Sequence, residues 1–179
     1  MKSILEDIRS RFGTRWENVQ REDLLQAGVE PGIVVPLLGW LKVHTPFVQL
    51  THMSAVDWIE DGELELAYVL TDPVGHRSLV VATRIGRESA TAESVWKLWP
   101  QAVTYEQEIN EMFGIHFPGS PRQGQPFILE GWTDLPPMRR DFDTVAYMNA
   151  HHPSRPGREH TDPRAYIGAV FGEKGYLND

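Results

Sequence analysis

The sequence predicts an α+β protein in which an antiparallel or mixed sheet is covered by helices on one face and followed by an extended C-terminal tail. Apolar residues recur at helical spacing near the N-terminus and around residue 105, and they alternate with a period of two from Val48 to about Ile85. The segment from His151 onward is rich in Pro, Gly, His and charge. We therefore divide these 179 residues into a domain over 1–150 and a tail over 151–179.

Two helices are predicted before the alternating region. The first carries an apolar stripe at helical spacing and ends at Gly13; the stripe consists of Ile4, Leu5, Ile8 and Phe12. The second begins near Pro31, where proline suits a first helical turn. Pro36 follows early in this helix, and we expect it to produce a boundary or a kink.

The alternating region predicts a meander of three antiparallel strands, with turns at Gly62 and at "PVGH". In "ELELAYVL" the residues Leu64, Leu66, Tyr68 and Leu70 point to one face, and more polar residues alternate with them. The sheet therefore has one clearly buried side, and a helix layer must cover it.

A third helix is predicted from Trp99-Pro100 through "EQEINEMF". Apolar residues recur along it at helical spacing, at Ala102, Tyr105, Ile109 and Met112. Gly114 is expected to end it in the left-handed conformation that glycine adopts at low cost. We expect Gly114→Val to lower the free energy of unfolding by about 1–2 kcal/mol.

Composition excludes several classes of function. The net charge of -8 and a pI near 5.3 argue against nucleic acid as a partner, since binding phosphates requires a basic face. With no cysteine, the chain has no disulfide, no thiolate nucleophile and no Cys ligand for a zinc ion or an iron–sulfur cluster. The longest apolar run, "GIVVPLLGWL", is shorter than the roughly 20 residues that span a bilayer. We expect a cytoplasmic protein with no membrane span of its own.

Three glutamates of the third helix, Glu106, Glu108 and Glu111, are the first candidates for chemistry. Two carboxylates held close together can act as an acid and a base, because their repulsion pushes one pKa upward and creates a proton donor. Only Glu108 and Glu111 share a helix face, however. A glutamate-rich helix face is more typical of a surface that meets solvent or a partner, and we favour that interpretation.

Histidines of the tail are the candidates for a metal site. His151, His152 and His160 could supply imidazole ligands, but their spacing matches no zinc motif. The sequence also lacks nucleotide-binding glycine loops and a GxSxG nucleophile motif. We therefore predict no catalytic, cofactor-binding or metal-binding residue in this chain.

The stretch "PPMRRDF" places Arg139, Arg140 and Asp141 after two prolines that fix an extended backbone. Arginine binds carboxylates through two parallel hydrogen bonds, so the stretch could hold an anion or form ion pairs between chains. The neighbouring aromatic residues Trp132 and Phe142 favour a protein interface over a solvated turn.

These residues together resemble a known family. "LWPQAVTYEQEINEMFGIHFPGSP" followed by "FILEGWTDLPPMRRDF" is similar to the signature of the 30-kDa subunit family of respiratory complex I, the NADH:quinone oxidoreductase. "LTHMSAVDWIEDGELELAYVL" is similar to its upstream region, so the resemblance covers about Val48 to Asp143. Gln107 stands in place of a family arginine, and Ser120 in place of a histidine. The same domain occurs in membrane-bound [NiFe] hydrogenases and formate hydrogenlyase-type complexes.

The resemblance implies a cofactor-free structural subunit in the peripheral arm of an energy-converting redox complex on the cytoplasmic side of the cell membrane. Iron–sulfur clusters, and a flavin or a nickel–iron centre, are expected in partner subunits. Those partners would be a cluster-bearing small subunit and a large subunit with the quinone site or the nickel site. The tail would pack on them. The residues implied at the interface are Glu106, Glu108, Glu111, Phe113, Gly114, Phe117, Trp132, Arg139, Arg140, Asp141 and Phe142.

Two interpretations from other classes remain open at this point. A freestanding metal-dependent hydrolase would lose activity when Glu108 or His152 is changed to alanine. A soluble adaptor that binds through 151–179 would lose all binding when that tail is removed.

Overall fold

The computed structural model describes residues 2–151. It falls into two units, the first ending at Phe142 and the second beginning at Asp143. The first contains three α-helices, a 3-10 helix and five strands, in the order α1 Lys2–Phe12, β1 Trp16–Arg21, β2 Leu24–Gly28, 3-10 helix Pro31–Ile33, α2 Val34–His44, β3 Gln49–Trp58, β4 Glu63–Asp72, β5 Arg77–Gly86 and α3 Ala102–Phe113. The described part of the second contains α4 Thr144–His151, whose first turn is capped by the Asp143 carboxylate.

The five strands form one mixed sheet in the order β1-β2-β5-β4-β3. The predicted meander is confirmed as β3, β4 and β5, which pair antiparallel and turn at Gly62 with a φ of 68°. A hairpin of β1 and β2, which the sequence did not predict, joins this meander through parallel pairing of β2 with β5. The predicted α+β class is confirmed.

The core lies between the sheet and one layer of helices. The predicted inward residues of β4 are buried, and Leu64, Leu66 and Leu70 are fully enclosed. The helices contribute Ile8 of α1, Leu38 of α2 and Ile109 of α3 to the same cluster. Because the helical stripes and the strand alternation meet in one cluster, hydrophobic burial fixes which face of the sheet is covered.

Two predicted helix boundaries need correction. The α-helix α2 continues through Pro36, which is its third residue. The first backbone N–H groups of a helix have no partner within the helix, so a proline there removes no hydrogen bond. Helix α3 begins at Ala102 instead of at Trp99-Pro100, after a turn in which the Trp99 carbonyl accepts a hydrogen bond from the Ala102 N–H.

Candidate subunit-docking surface

The C-terminal end of α3 is built as the sequence predicts. Gly114 has a φ of 75°, in the left-handed region, and its N–H donates to the Asn110 carbonyl at 2.9 Å. A Cβ atom at this position would lie 3.1 Å from Pro136 Cγ and 3.2 Å from Arg139 Nη2. Glycine is therefore needed both for the backbone conformation and for the close approach of the segment around residue 136.

Glu106 lies inside the protein, not on the surface where the sequence pattern placed it. Its side chain is 1% exposed, and its carboxylate accepts hydrogen bonds from Ser94 Oγ at 2.7 Å and from the Val95 N–H at 2.8 Å. These bonds fix the loop between β5 and α3 against the helix. The loop covers this helix face, so Glu106 does not reach the outside of the chain.

Glu111 holds a second loop. Its carboxylate accepts the backbone N–H groups of Phe127, Ile128 and Leu129 at 2.8, 2.9 and 3.0 Å. The segment forms no strand, and the Glu111 carboxylate occupies three of its main-chain donors. Gln107, which stands where the family carries arginine, supports the same loop by donating to the Pro126 carbonyl at 2.6 Å.

Glu108 is the remaining glutamate of the three. It is half-buried, and within residues 2–151 it makes no hydrogen bond or ion pair. The carboxylates of Glu106 and Glu111 each serve a different loop, so the three glutamates are not assembled as one acid–base group. Of the three glutamates, Glu108 is the one whose carboxylate bonds to no loop within residues 2–151.

The arginines of "PPMRRDF" are used within the chain. Arg139 Nε donates to the Phe113 carbonyl at 2.8 Å, where α3 ends, and the Met138 N–H donates to the Met112 carbonyl at 3.0 Å. The exposed guanidinium of Arg140 pairs with Glu60. Both contacts fasten this segment to the domain instead of leaving the arginines open for a partner.

An ion cluster at the end of β3 adds to this attachment. We call Asp57, Arg87, Arg140 and Asp141 the Arg87 cluster. Arg87 donates to both carboxylate oxygens of Asp57, at 2.9 and 3.1 Å, and to Asp141 at 2.6 Å. The Arg140 N–H donates to Asp57 at 2.9 Å. Burial acts to raise the pKa of Asp57, but the hydrogen bonds from Arg87 and Arg140 outweigh it and hold that pKa below its usual value.

The aromatic residues predicted at the interface divide into inner and outer ones. Phe117 is fully buried in the core, and Phe113 packs against the same cluster while half-buried. Trp132 and Phe142 are half-buried and pack on each other with ring centroids 5.5 Å apart. Phe117 therefore contributes to the fold, and it offers no surface for docking.

An exposed apolar segment, which the sequence pattern did not single out, lies along the C-terminal half of α3. We call residues 127–138 the docking segment. Its exposed apolar side chains are Phe127 at 37%, Ile128 at 67%, Leu135 at 40% and Met138 at 58%. The apolar run in "PFILEGW", which interrupts a polar loop, is the sequence feature from which this segment could have been predicted. Such a concentration of exposed apolar side chains is typical of a protein interaction site.

The described chain carries neither a metal-binding cluster nor a helix suited to crossing a membrane. Over residues 2–151 no group of three or more His, Asp or Glu side chains is placed to hold a metal ion. His151 stacks on Tyr147 with ring centroids 4.1 Å apart, and His152 and His160 lie outside the described residues. Among the helices in this range, none has the length and hydropathy of a membrane span.

The fold and the site together define a class of protein: an α+β domain whose carboxylates fix two loops against one helix and present an exposed apolar segment beside it. The chain belongs to the family described as "Respiratory-chain NADH dehydrogenase, 30 Kd subunit", whose model matches residues 27–148. The resemblance drawn from the sequence is confirmed.

Relatives of this chain are subunits of respiratory enzymes. A subunit of the NADH-quinone oxidoreductase of Moorella thermoacetica is 30% identical over 125 residues, which cover 66% of this chain and 84% of the relative. The mitochondrial "NADH-ubiquinone oxidoreductase 30.4 kDa subunit" of Neurospora crassa is 28% identical over 145 residues, covering 79% of this chain and 50% of the relative. The chain thus spans about half the length of the Neurospora protein.

Solved structures have the same fold. A chain of the membrane-bound sulfane sulfur reductase, described as an archaeal respiratory membrane complex, superposes with a TM-score of 0.81 at 28% identity, over 90% of this chain and 96% of that chain. A trypsin-resistant fragment (1-134) of Nqo5 superposes with a TM-score of 0.59 at 20% identity, over 67% of this chain and 96% of the fragment. The second likeness concerns the fold alone.

Proposed function

We propose that this chain is a structural subunit in the peripheral arm of a membrane-bound energy-converting redox complex of the NADH:quinone oxidoreductase type. It lies on the cytoplasmic side, holds no cofactor and supports electron transfer to quinone coupled to ion translocation. One observation carries the proposal: the matched region of this respiratory-chain subunit family holds its charges around α3 in hydrogen bonds to its own loops and leaves the docking segment exposed and apolar.

The amino-acid composition supports the assignment of the cofactors to other subunits. The chain contains no cysteine, the usual ligand of iron–sulfur clusters. Clusters, and a flavin or a nickel–iron centre, therefore belong to partner subunits in this proposal. The direct partners are a cluster-bearing small subunit and the large subunit that carries the quinone site.

The docking segment suits a partner surface that is apolar and basic. Binding normally costs free energy because loops must be ordered, and the three hydrogen bonds to Glu111 order this one in advance. The segment itself carries two exposed acidic side chains, Glu130 and Asp134, and Glu108 is half-buried one helical turn before Glu111 on α3. Arginine or lysine residues around an apolar pocket of the partner would complement them.

A charge placed in the docking segment tests the proposal. We expect Ile128→Asp to reduce recovery of this chain with a complex purified through a tag on the cluster-bearing subunit by at least about tenfold, since loss of one anchor residue costs roughly 2 kcal/mol or more. Val74→Asp, in the β4–β5 turn and 87% exposed, is the matched control and should leave recovery unchanged. Equal recovery of both variants would reject the docking segment as an interface.

A membrane-bound [NiFe] hydrogenase or formate hydrogenlyase-type complex is the second candidate. It is kept because the likeness over 90% of this chain to a chain of a membrane-bound sulfane sulfur reductase shows the same fold in a respiratory membrane complex of another kind. Metal analysis of the purified complex separates the two candidates. Stoichiometric nickel would support the hydrogenase assignment, and nickel-free complex that oxidises NADH with quinone would support the first.

A further inference from the structure

The face of the sheet opposite the helices is apolar at its centre. On β4 and β5, the residues that alternate with the inward-facing ones include Ala67, Val69, Val80 and Ala82, and the neighbouring β2 places Gln26 beside Val80, with its amide bonded to Asn18 and Gln20. An antiparallel sheet covered on one side normally carries polar residues on its other side. We call this side the open face, and its apolar residues make it a candidate for contact with another surface.

Large exposed aromatic and aliphatic side chains border this centre. Trp58 and Val56 of β3 are 37% and 43% exposed, and Trp16 of β1 is 40% exposed at the opposite border. The Trp16 indole lies so close to Gly28 that a Cβ there would meet its Nε1 atom at 2.2 Å. Trp16 is thereby held against the sheet, and a trough of about 390 Å³ runs from it to Arg84.

One end of the open face is acidic. Arg84 is the cation that pairs there with three carboxylates, those of Asp61, Glu63 and Glu65, at 3.0 to 3.2 Å. Its guanidinium also lies over the Trp58 ring at 4.8 Å from the centroid. Arg15, which also lines the trough, is paired with Glu30 and adds no net charge. The three carboxylates around Arg84 therefore leave this border of the face negative.

We propose that an amphipathic helix of a partner subunit lies across the open face and places lysine or arginine side chains over Glu63 and Glu65. This inference rests on the proposed function, since it requires the chain to be a subunit. Helices are the usual cover of a sheet face, because their apolar stripe buries against it. The Trp16 side chain covers Gly28, and Ala82 is 3% exposed, so the partner helix would contact Ala67, Val69 and Val80 between the Trp16 and Trp58 borders.

This open-face site is distinct from the docking segment. The docking segment lies beside α3, in the helix layer, whereas the open face is on the other side of the sheet. The chain would then be held between two partners or between two parts of one partner. A substitution that breaks the contact at the docking segment should therefore weaken assembly while the open face stays covered.

The lack of cysteine makes a direct test possible, because one introduced thiol is the only thiol in the chain. Val80→Cys places it on the open face, and Ser54→Cys, on β3, is a second position if the first does not assemble. We expect the rate of maleimide labelling to fall by about tenfold or more in the purified complex relative to the isolated chain, as for a site reached only through rare opening. Val74→Cys, in the exposed β4–β5 turn, should label at the same rate in both.

A photoactivatable cross-linker on the Val80→Cys thiol identifies what covers the face. A cross-link to a helical peptide of another subunit with lysine or arginine at one end supports the proposal. A cross-link to this chain itself or to a second copy overturns it, as does undiminished labelling of a chain that co-purifies with the complex. Undiminished labelling rejects the open-face site but leaves the proposed function in place. Failure of the unmodified chain to co-purify with any redox complex would reject the open-face site and the proposed function together.

Discussion

At the scale of single residues, Gly114 shows how one position can meet two constraints. Its φ of 75° is costly for any residue with a Cβ atom, and that atom would also press on Pro136 and Arg139. We expect Gly114→Ala to lower the free energy of unfolding by about 2 kcal/mol, which thermal or urea denaturation measures.

Gly119 allows the cost of the positive φ to be separated from the cost of close packing around a Cβ atom. It has a similar φ of 87°, but nothing lies within 4 Å of the Cβ it would carry. Gly119→Ala should therefore cost only the conformational part, about 1 kcal/mol. If the two variants are equally destabilised, close packing at Gly114 contributes nothing.

The burial of Glu106 marks a limit of sequence reasoning at the same scale. The spacing of α3 correctly predicted its apolar face and its glycine end, since both depend on local geometry. Glu106 is buried because a loop brings Ser94 and the Val95 N–H to it. A carboxylate that binds a backbone N–H from a loop carries no periodic signal, so it reads like any surface glutamate.

At the scale of elements, Glu111 connects α3 to the docking segment. Glu111→Gln keeps the size of the side chain but replaces one acceptor oxygen with a donor and removes the charge. We expect the backbone amides of residues 127–129 to exchange hydrogen about tenfold faster, because charge-assisted hydrogen bonds contribute roughly 1.5 kcal/mol or more. Hydrogen–deuterium exchange with mass spectrometry measures this.

Glu108→Gln is the matched control on the same helix. Its carboxylate makes no hydrogen bond within the described residues, so exchange at 127–129 should not change. Unchanged exchange in both variants would show that Glu111 does not order the segment.

The helices and strands were predictable where apolar residues recur at a regular spacing. The meander of β3, β4 and β5 and the stripes of α1 and α3 follow directly from apolar spacing. The β1–β2 hairpin was missed because β1 is almost entirely exposed and carries polar residues, including Asn18 and Gln20. Its place in the sheet depends on parallel pairing of β2 with β5, a contact between distant parts of the chain that no local pattern encodes.

At the scale of the whole molecule, the Arg87 cluster ties the ends of β3 and β5 to residues 139–142. The pKa of Asp57 lies below its usual value in the folded protein. Its contribution to stability is therefore present above the ordinary carboxyl pKa of about 3.9 and is lost as the pH falls through the lower folded-state pKa. We expect Asp57→Asn to lower the free energy of unfolding at pH 7 by about 2–4 kcal/mol, since it breaks a buried ion pair.

The same variant should flatten the dependence of stability on pH. The difference between the wild-type and Asp57→Asn proteins should shrink as urea denaturation is repeated from pH 7 down toward pH 3. Glu22→Gln, in the exposed β1–β2 turn, should follow the wild-type curve. A constant difference across that range would contradict the role given to the Asp57 charge.

The three hydrogen bonds to Glu111 also affect how the chain behaves before it is assembled. Phe127 and Ile128 are exposed and favour β-structure, and Leu129 beside them is half-buried; such apolar runs can seed cross-β stacking between copies. Stacking requires free main-chain donors, and here one carboxylate occupies all three. We therefore expect the Glu111 carboxylate to oppose aggregation of the isolated chain through this run.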